Sequence, residues 1–263
     1  TNEGITGLGE MHPASSTSGG RYVPSASIRF QEEYLVGKDP TQIERHWQHM
    51  FRRSLFRGGA DSMAAISAID MALWDITGKM AGLPVYKLLG GPTRERVKLF
   101  GTPVCYDTNT PEEMAVSAMR LVAEGFSVVR MFPLGSRDQF AKMGFRTAAR
   151  TAEKFVAAVR EAVGDEIDVA IDVICLLTPA EAIETGRLLE PYGLVFFEDP
   201  IEPDNSDAMA HVTSRLPMPV ATGERLCTIH QFRDLLNKNA ASYLRPDLAL
   251  AGGITNVRKI ATL

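Results

Sequence analysis

The chain has 263 residues, 45% of them hydrophobic and 23% charged, with a formal net charge of -4. No apolar run approaches the roughly 18 residues a membrane helix needs, and no basic cluster offers the positive face that nucleic acid requires, so membrane and nucleic-acid partners are excluded and small-molecule chemistry is expected. The first ten residues, TNEGITGLGE, have neither the basic start nor the apolar core of a secretory leader, and the three cysteines, Cys105, Cys175 and Cys227, are odd in number and widely separated, which fits reduced thiols and a cytoplasmic location.

In chain order, GITGLGE reads as a short turn-rich strand segment, and HPASSTSGG, from His12 to Gly20, as a polar loop of the kind that covers a site. Residues 38–51, KDPTQIERHWQHMF, predict a helix opened by Asp39 and Pro40. After FRGGA, Asp61 is expected to cap a long helix whose apolar residues Met63, Ile66, Ile69, Leu73 and Ile76 recur at three- and four-residue steps, with Gly82 and Pro84 ending it. Residues 1–95 thus form one predicted unit.

From residue 96 strands and helices alternate. The strand RVKLFGT precedes a helix with Thr110 as cap, Pro111 at its first position and Glu113 closing a capping box. SVVRMF, IDVAID, LVFFED, PVATGE and SYLRPD are the further strands, each followed by a helical pattern, and Thr178 with Glu181 repeats the capping device. Such alternation implies right-handed crossovers and a parallel sheet, whose two covered faces account for the near-continuous apolar runs. Six strands without a glycine-rich dinucleotide fingerprint favour a TIM-type barrel over an open sheet. The chain reaches Leu263 in the sixth helix, so closure requires strands beyond it.

Three of these strands end in acid: Asp172, Glu198 and Glu224, at intervals of 26 and 26 residues. One strand-helix unit per interval predicts equivalent positions on neighbouring strands, at the C-terminal face where barrel active sites lie. Strands about 4.8 Å apart would bring three negative charges together, raising their pKa values unless a cation compensates. A site of carboxylate oxygens without His or Cys favours Mg²⁺. Taken singly, each acid reads more readily as a helix cap or the partner of a lysine than as a metal ligand.

These acids, with FFEDP, ATGER, RPDLALAGGIT and the long-helix segment GADSMAAISAIDMALWDITGKMAGLPVYKLLGG, resemble the enolase superfamily in its mandelate racemase branch, and especially the acid-sugar dehydratases such as galactonate and mannonate dehydratase. The resemblance covers almost the whole chain. It implies an α/β fold built as a (β/α)7β barrel, with strands one to six in residues 96–263, and an α+β capping domain in residues 1–95 whose first strand lies upstream. It also implies a Mg²⁺-dependent lyase: Asp172, Glu198 and Glu224 hold the metal, a base removes the proton α to a sugar-acid carboxylate, and the β-hydroxyl leaves as water. A homo-oligomer is expected.

Other roles come by the same resemblance. Asp247 matches the acid that orients a catalytic His on the next strand, a His expected beyond Leu263; by itself Asp247 reads equally as a helix cap. Arg130 stands where mannonate dehydratases carry an Arg, and is expected either to act in catalysis and bind substrate or to serve as counterion to the metal acids. His12 is expected at the distal end of the substrate or in solvent, and Arg225 on substrate or on neighbouring acids. Two departures stand out. Where such dehydratases carry Asp-x-His the sequence is Asp172-Val173-Ile174, and the racemase Lys-x-Lys is replaced by Arg130 and Phe132. The alternatives are therefore a racemase or epimerase of a 2-hydroxy acid, and a catalytically reduced metal-binding relative.

Overall fold

The structure, a computed structural model, describes residues 1–12, 22–53, 57–103 and 110–263, the side chains of 22–27 and 30 excepted. Most of the HPASSTSGG loop and Cys105 lie outside the described residues. The chain divides into two units, one made of Thr1–Glu95, Gly223–Arg233 and Pro246–Leu263, the other of Arg96–Thr222 and Asp234–Arg245.

The first unit is helical. Helix α1, Tyr22–Leu35, was not expected: YVPSASIRFQEEYL has no strong apolar period, and its Pro24 falls in the first turn, where a missing N–H costs nothing. Helix α2, Ile43–Arg53, begins later than expected. Asp39 does not cap it; its Oδ1 accepts from the backbone N–H of Thr41 at 2.9 Å and from the Thr41 hydroxyl at 2.7 Å, which holds a turn ahead of the helix. Glu44 in the first turn and Arg52 and Arg53 in the last oppose the helix dipole.

Helix α3, Ala60–Ala81, has Gly59 rather than Asp61 at its N-cap. Asp61 lies one residue inside, where its charge favours the dipole but makes no cap bond. The end is as expected: Gly82 is left-handed at φ 64°, and the Leu83 N–H returns to Gly78 O at 2.9 Å. Met63, Ala64, Ile66 and Leu73 are buried, and Met63 and Ile66 share a core with Trp47, Met50, Cys227 and Leu250. The short helix α4, Val85–Leu88, follows Pro84.

The second unit is a parallel five-stranded sheet in the order β1-β2-β3-β4-β5: β1, Val128–Met131; β2, Asp168–Asp172; β3, Leu194–Glu198; β4, Val220–Thr222; β5, Tyr243–Leu244. The expected first strand contributes, among the described residues, a single parallel bridge from Gly101 to Val129. The connections hold α5, Pro111–Ala123; α6, Arg137–Ala141; α7, Phe145–Val163; α8, Pro179–Leu189; and α9, Ser206–Thr213; β4 leads to β5 through α10, Ile229–Asn237. Thr110 with Glu113, and Thr178 with Glu181, form complete capping boxes, as their spacing predicts, and Ser136 with Gln139 adds one on α6.

One side chain ties the N-terminal ends of two strands together. Arg160 on α7 donates to the carbonyl of Gly164 at the end of its own helix, at 2.8 Å, and to those of Ile167 at 2.7 Å, Tyr192 at 3.0 Å and Gly193 at 3.2 Å, the last residues before β2 and β3. Carbonyls that no ladder reaches are thereby satisfied.

Helix α11, Gly253–Ile260, returns to the first unit and packs on α3. Its approach is close: a Cβ on Gly253 would lie 2.5 Å from Asp70 Oδ2, and one on Gly252 2.8 Å from Met63 Cε. Both glycines have positive φ, 87° and 72° for Gly252 and Gly253, so the AGGIT segment needs glycine for space and for backbone alike. Polar groups on α2 and α3 meet it. Trp47 Nε1–H donates to Gly252 O at 2.8 Å, Ser67 Oγ accepts from Gly252 N–H at 2.8 Å, and Asp70 Oδ2 accepts from Thr255 N–H at 3.0 Å. Among the described residues no helix is long and apolar enough to cross a membrane.

Candidate metal centre

The sheet brings acids together by a register that the chain intervals conceal. β2 and β3 pair Val169 with Leu194 but Ala170 with Phe196, so Val195 is an extra residue on β3. From there Ile171 faces Phe197 and Asp172 faces Glu198. Without that bulge Asp172 would stand beside Phe197, and a one-residue slip turns every later side chain to the other face. Both acids are buried, Asp172 at 1% and Glu198 at 0% exposure.

Glu224 is not at the equivalent position that equal intervals predict. Glu198 pairs with Ala221, so Glu224 comes three residues later, beyond the ladder. It follows Gly223, whose φ of 131° suits a residue without a side chain. Even so, an oxygen from each of Asp172, Glu198 and Glu224 lies within 4.8 Å of the others. Burial, then the charge of Glu198, push the Asp172 carboxyl up to about 8. The donor set is carboxylate oxygen throughout, two members in low dielectric, and this acidic triad could hold a hard divalent cation.

Two guanidinium groups meet the buried acids. Arg130, the one half-buried residue of β1, places Nη1 2.8 Å from Asp172 Oδ2 and 2.7 Å from Glu198 Oε2. Arg245, the residue after β5, lies against Glu198 Oε1. Phe100 receives both guanidinium groups, with Cζ of Arg130 at 5.1 Å and of Arg245 at 5.2 Å from its ring centroid, and Phe132 receives Arg130 at 4.7 Å. The remaining oxygen of Asp172, Oδ1, accepts from the Ile174 N–H at 2.7 Å. Ile174 and Cys175 are both left-handed, at φ 45° and 58°, a conformation that disfavours β-branched side chains and tolerates Asn, Asp and His. The acid beside Glu198 has other work. Asp199 is buried and its Oδ1 accepts from the Thr222 hydroxyl at 2.6 Å.

His12 and Asp247 lie beside one another, with Nε2 3.6 Å from Oδ2, and Asp247 Oδ1 also accepts from the Ala249 N–H at 2.8 Å. The His12 side chain is 46% exposed. Arg225 Nε lies 4.0 Å from Glu224 Oε1. Cys175 and Cys227 are buried, and burial pushes Cys227 up to about 11, which fits packing rather than reactivity. Arg245 was missed by sequence reasoning although its position at a strand end was a usable signal. Asp70 carried no signal at all.

Residues 1–90 match the family described as mandelate racemase/muconate lactonizing enzyme, N-terminal domain, and residues 113–263 the family described as enolase C-terminal domain-like. A D-galactonate dehydratase of Variovorax paradoxus (strain S110) is 35% identical over 263 residues, 100% of this chain and 66% of its own length. A D-mannonate dehydratase of Caulobacter sp. (strain K31) is 34% identical over 286 residues, 99% of this chain and 68% of its own. Among solved structures, a member of the enolase superfamily from Salmonella Typhimurium superposes with a TM-score of 0.91 at 29% identity, covering 99% of this chain and 71% of its own. An enolase from Agrobacterium radiobacter, bound to Na and L-malate, superposes with a TM-score of 0.89 at 32% identity, covering 100% and 65%. The chain therefore spans about two-thirds of the length of the relatives it matches.

Proposed function

The chain belongs to the mandelate racemase/muconate lactonizing enzyme family of the enolase superfamily, and from that membership we propose that it works as a Mg²⁺-dependent dehydratase of acid sugars. The observation that carries the reading is the convergence of Asp172, Glu198 and Glu224, three carboxylates within 4.8 Å and no softer ligand among them. Relatives named galactonate and mannonate dehydratase support the substrate class, and the malate held by the Agrobacterium structure supports a carboxylate bearing an adjacent hydroxyl. In this reading residues 1–95 are the capping domain and residues 96–263 carry six barrel strands.

Asp172, Glu198 and Glu224 would hold the Mg²⁺, which would supply a fixed double positive charge to stabilise negative charge on a substrate carboxylate. Arg130 and Arg225 orient substrate oxygens, and His12 contacts the distal hydroxyls. Asp247 holds an imidazole in the orientation and tautomer that accept the α-proton. Phe132 cannot replace the lysine of racemases, so proton removal from one face with loss of the β-hydroxyl is favoured over epimerisation. Ile174 cannot donate a proton, so in this reading the elimination is syn and the group that serves as base also protonates the leaving hydroxyl.

The test is a panel of acid sugars, galactonate and mannonate included, assayed with Mg²⁺ for a 2-keto-3-deoxy product. Glu224→Gln is expected to lower turnover by two orders of magnitude or more, on the scale of losing a metal ligand. Full retention of activity in that variant would sink the metal assignment. Exchange of the α-proton for deuterium without elimination would point to the epimerase, and no exchange with any sugar acid to a relative that only binds.

A further inference from the structure

Arg130 bridges two of the three acids that could hold a cation. Oδ2 of Asp172 and Oε2 of Glu198 both accept from the same Nη1, at 2.8 and 2.7 Å. The outer oxygens are held elsewhere, Oδ1 of Asp172 by the Ile174 N–H and Oε1 of Glu198 against Arg245. A small divalent cation takes carboxylate oxygens at about 2.0–2.1 Å, and it cannot share those two atoms with a guanidinium nitrogen bridging them. The two positive groups compete for one seat.

We propose that Arg130 is the internal stand-in for the cation: it neutralises the buried Asp172–Glu198 pair in the cation-free protein and withdraws when the cation binds. This rests on the metal reading above but not on the reaction. The sequence provides for both states. Two carboxylates buried to 1% and 0% exposure side by side would repel strongly without a positive partner. The guanidinium is not held by the acids alone, because Phe100 and Phe132 offer it their faces at 5.1 and 4.7 Å. Arg245 differs in kind. It touches only the outer oxygen of Glu198 among the contacts of these two acids described above, and can stay when the cation arrives.

The experiment is Mg²⁺ titration by calorimetry of the full chain as wild type, Arg130→Met and Arg245→Met, with thermal melts in chelator. Removing the competing charge is expected to tighten Mg²⁺ binding about ten-fold or more in Arg130→Met, and by less than about three-fold in Arg245→Met. The same Arg130→Met protein is expected to melt lower than wild type in chelator and to gain more from added Mg²⁺. Unchanged or weaker Mg²⁺ binding in Arg130→Met, or an equal gain in both variants, overturns the stand-in role. Should Arg130→Met fail to fold, the wild type decides: the Nε–H resonance of Arg130, assigned with Arg130→Lys, is expected to move on Mg²⁺ addition while that of Arg160 does not, and a static Arg130 signal overturns the proposal. Competition without any turnover of acid sugars would sink the reaction and leave this inference standing, whereas no Mg²⁺ binding by wild type would sink both.

Discussion

Asp70 offers a quantitative test of how α3 and α11 are held together. Its carboxylate is wholly buried, and burial pushes its pKa from 3.8 to about 6, although Oδ2 accepts the Thr255 N–H. The folded chain therefore takes up a proton at a pH where the unfolded chain does not, so stability must rise as pH falls from above 6 toward 3.8. At pH 7.5 the group is ionised in both states and contributes nothing to the difference. At pH 5.0 the ratio of the binding factors, one plus ten to the power of pKa minus pH, is roughly ten, which corresponds to about 1.4 kcal/mol. Asn at this position keeps an oxygen for Thr255 but cannot titrate. Urea unfolding of wild type and Asp70→Asn at both pH values is the assay, and wild type is expected to gain about 1.4 kcal/mol more than the variant on going from pH 7.5 to 5.0. Parallel behaviour of the two proteins would refute the claim that an ionised carboxylate is held in this core at a cost.

Three further outcomes follow from the geometry. Arg160→Met removes donors from four carbonyls and is expected to cost roughly 2–4 kcal/mol in urea unfolding, with Arg160→Lys recovering only part, since one ammonium cannot span all four. Gly253→Ala would place a methyl 2.5 Å from Asp70 Oδ2 at a φ of 72°, and a loss of at least about 2 kcal/mol is expected, read as a fall in melting temperature. Ile174→Asn is expected to leave chelator-treated protein as stable as wild type or more so, by up to about 1 kcal/mol, because φ 45° suits Asn better than a β-branched residue; a large destabilisation would mean that the Ile174 side chain is needed for packing.

What could be read from the chain divides by the reach of the cause. Thr110 with Glu113 and Thr178 with Glu181 satisfy each other over three residues, so the sequence contains the whole interaction. The strand-end positions of Asp172 and Glu198 were legible because each closes a near-continuous apolar run. Helix α1 was not, since Ser and Pro dilute its period and tertiary packing decides the outcome. Asp39 and Asp61 both read as caps in the sequence, and in each case the neighbouring backbone settles the matter: a turn closed on Thr41, and a glycine at the N-cap position. Asp70 finds Thr255 185 residues away, and Arg245 finds Glu198 through the sheet. No local pattern records either pairing.

The extra residue in β3 means that counting along the chain and counting up the sheet use different rulers. Asp172, Glu198 and Glu224 are spaced evenly by residue number, yet by rungs of the ladder the first two are level and the third comes three residues after the partner of Glu198, past the end of the ladder. Any insertion or deletion within β3 would reset the first ruler by one and the second by a whole change of face. One in the connection before β4 would alter only the first. Lengths of connections are thus free to drift in this architecture, while the length of a single five-residue strand is not.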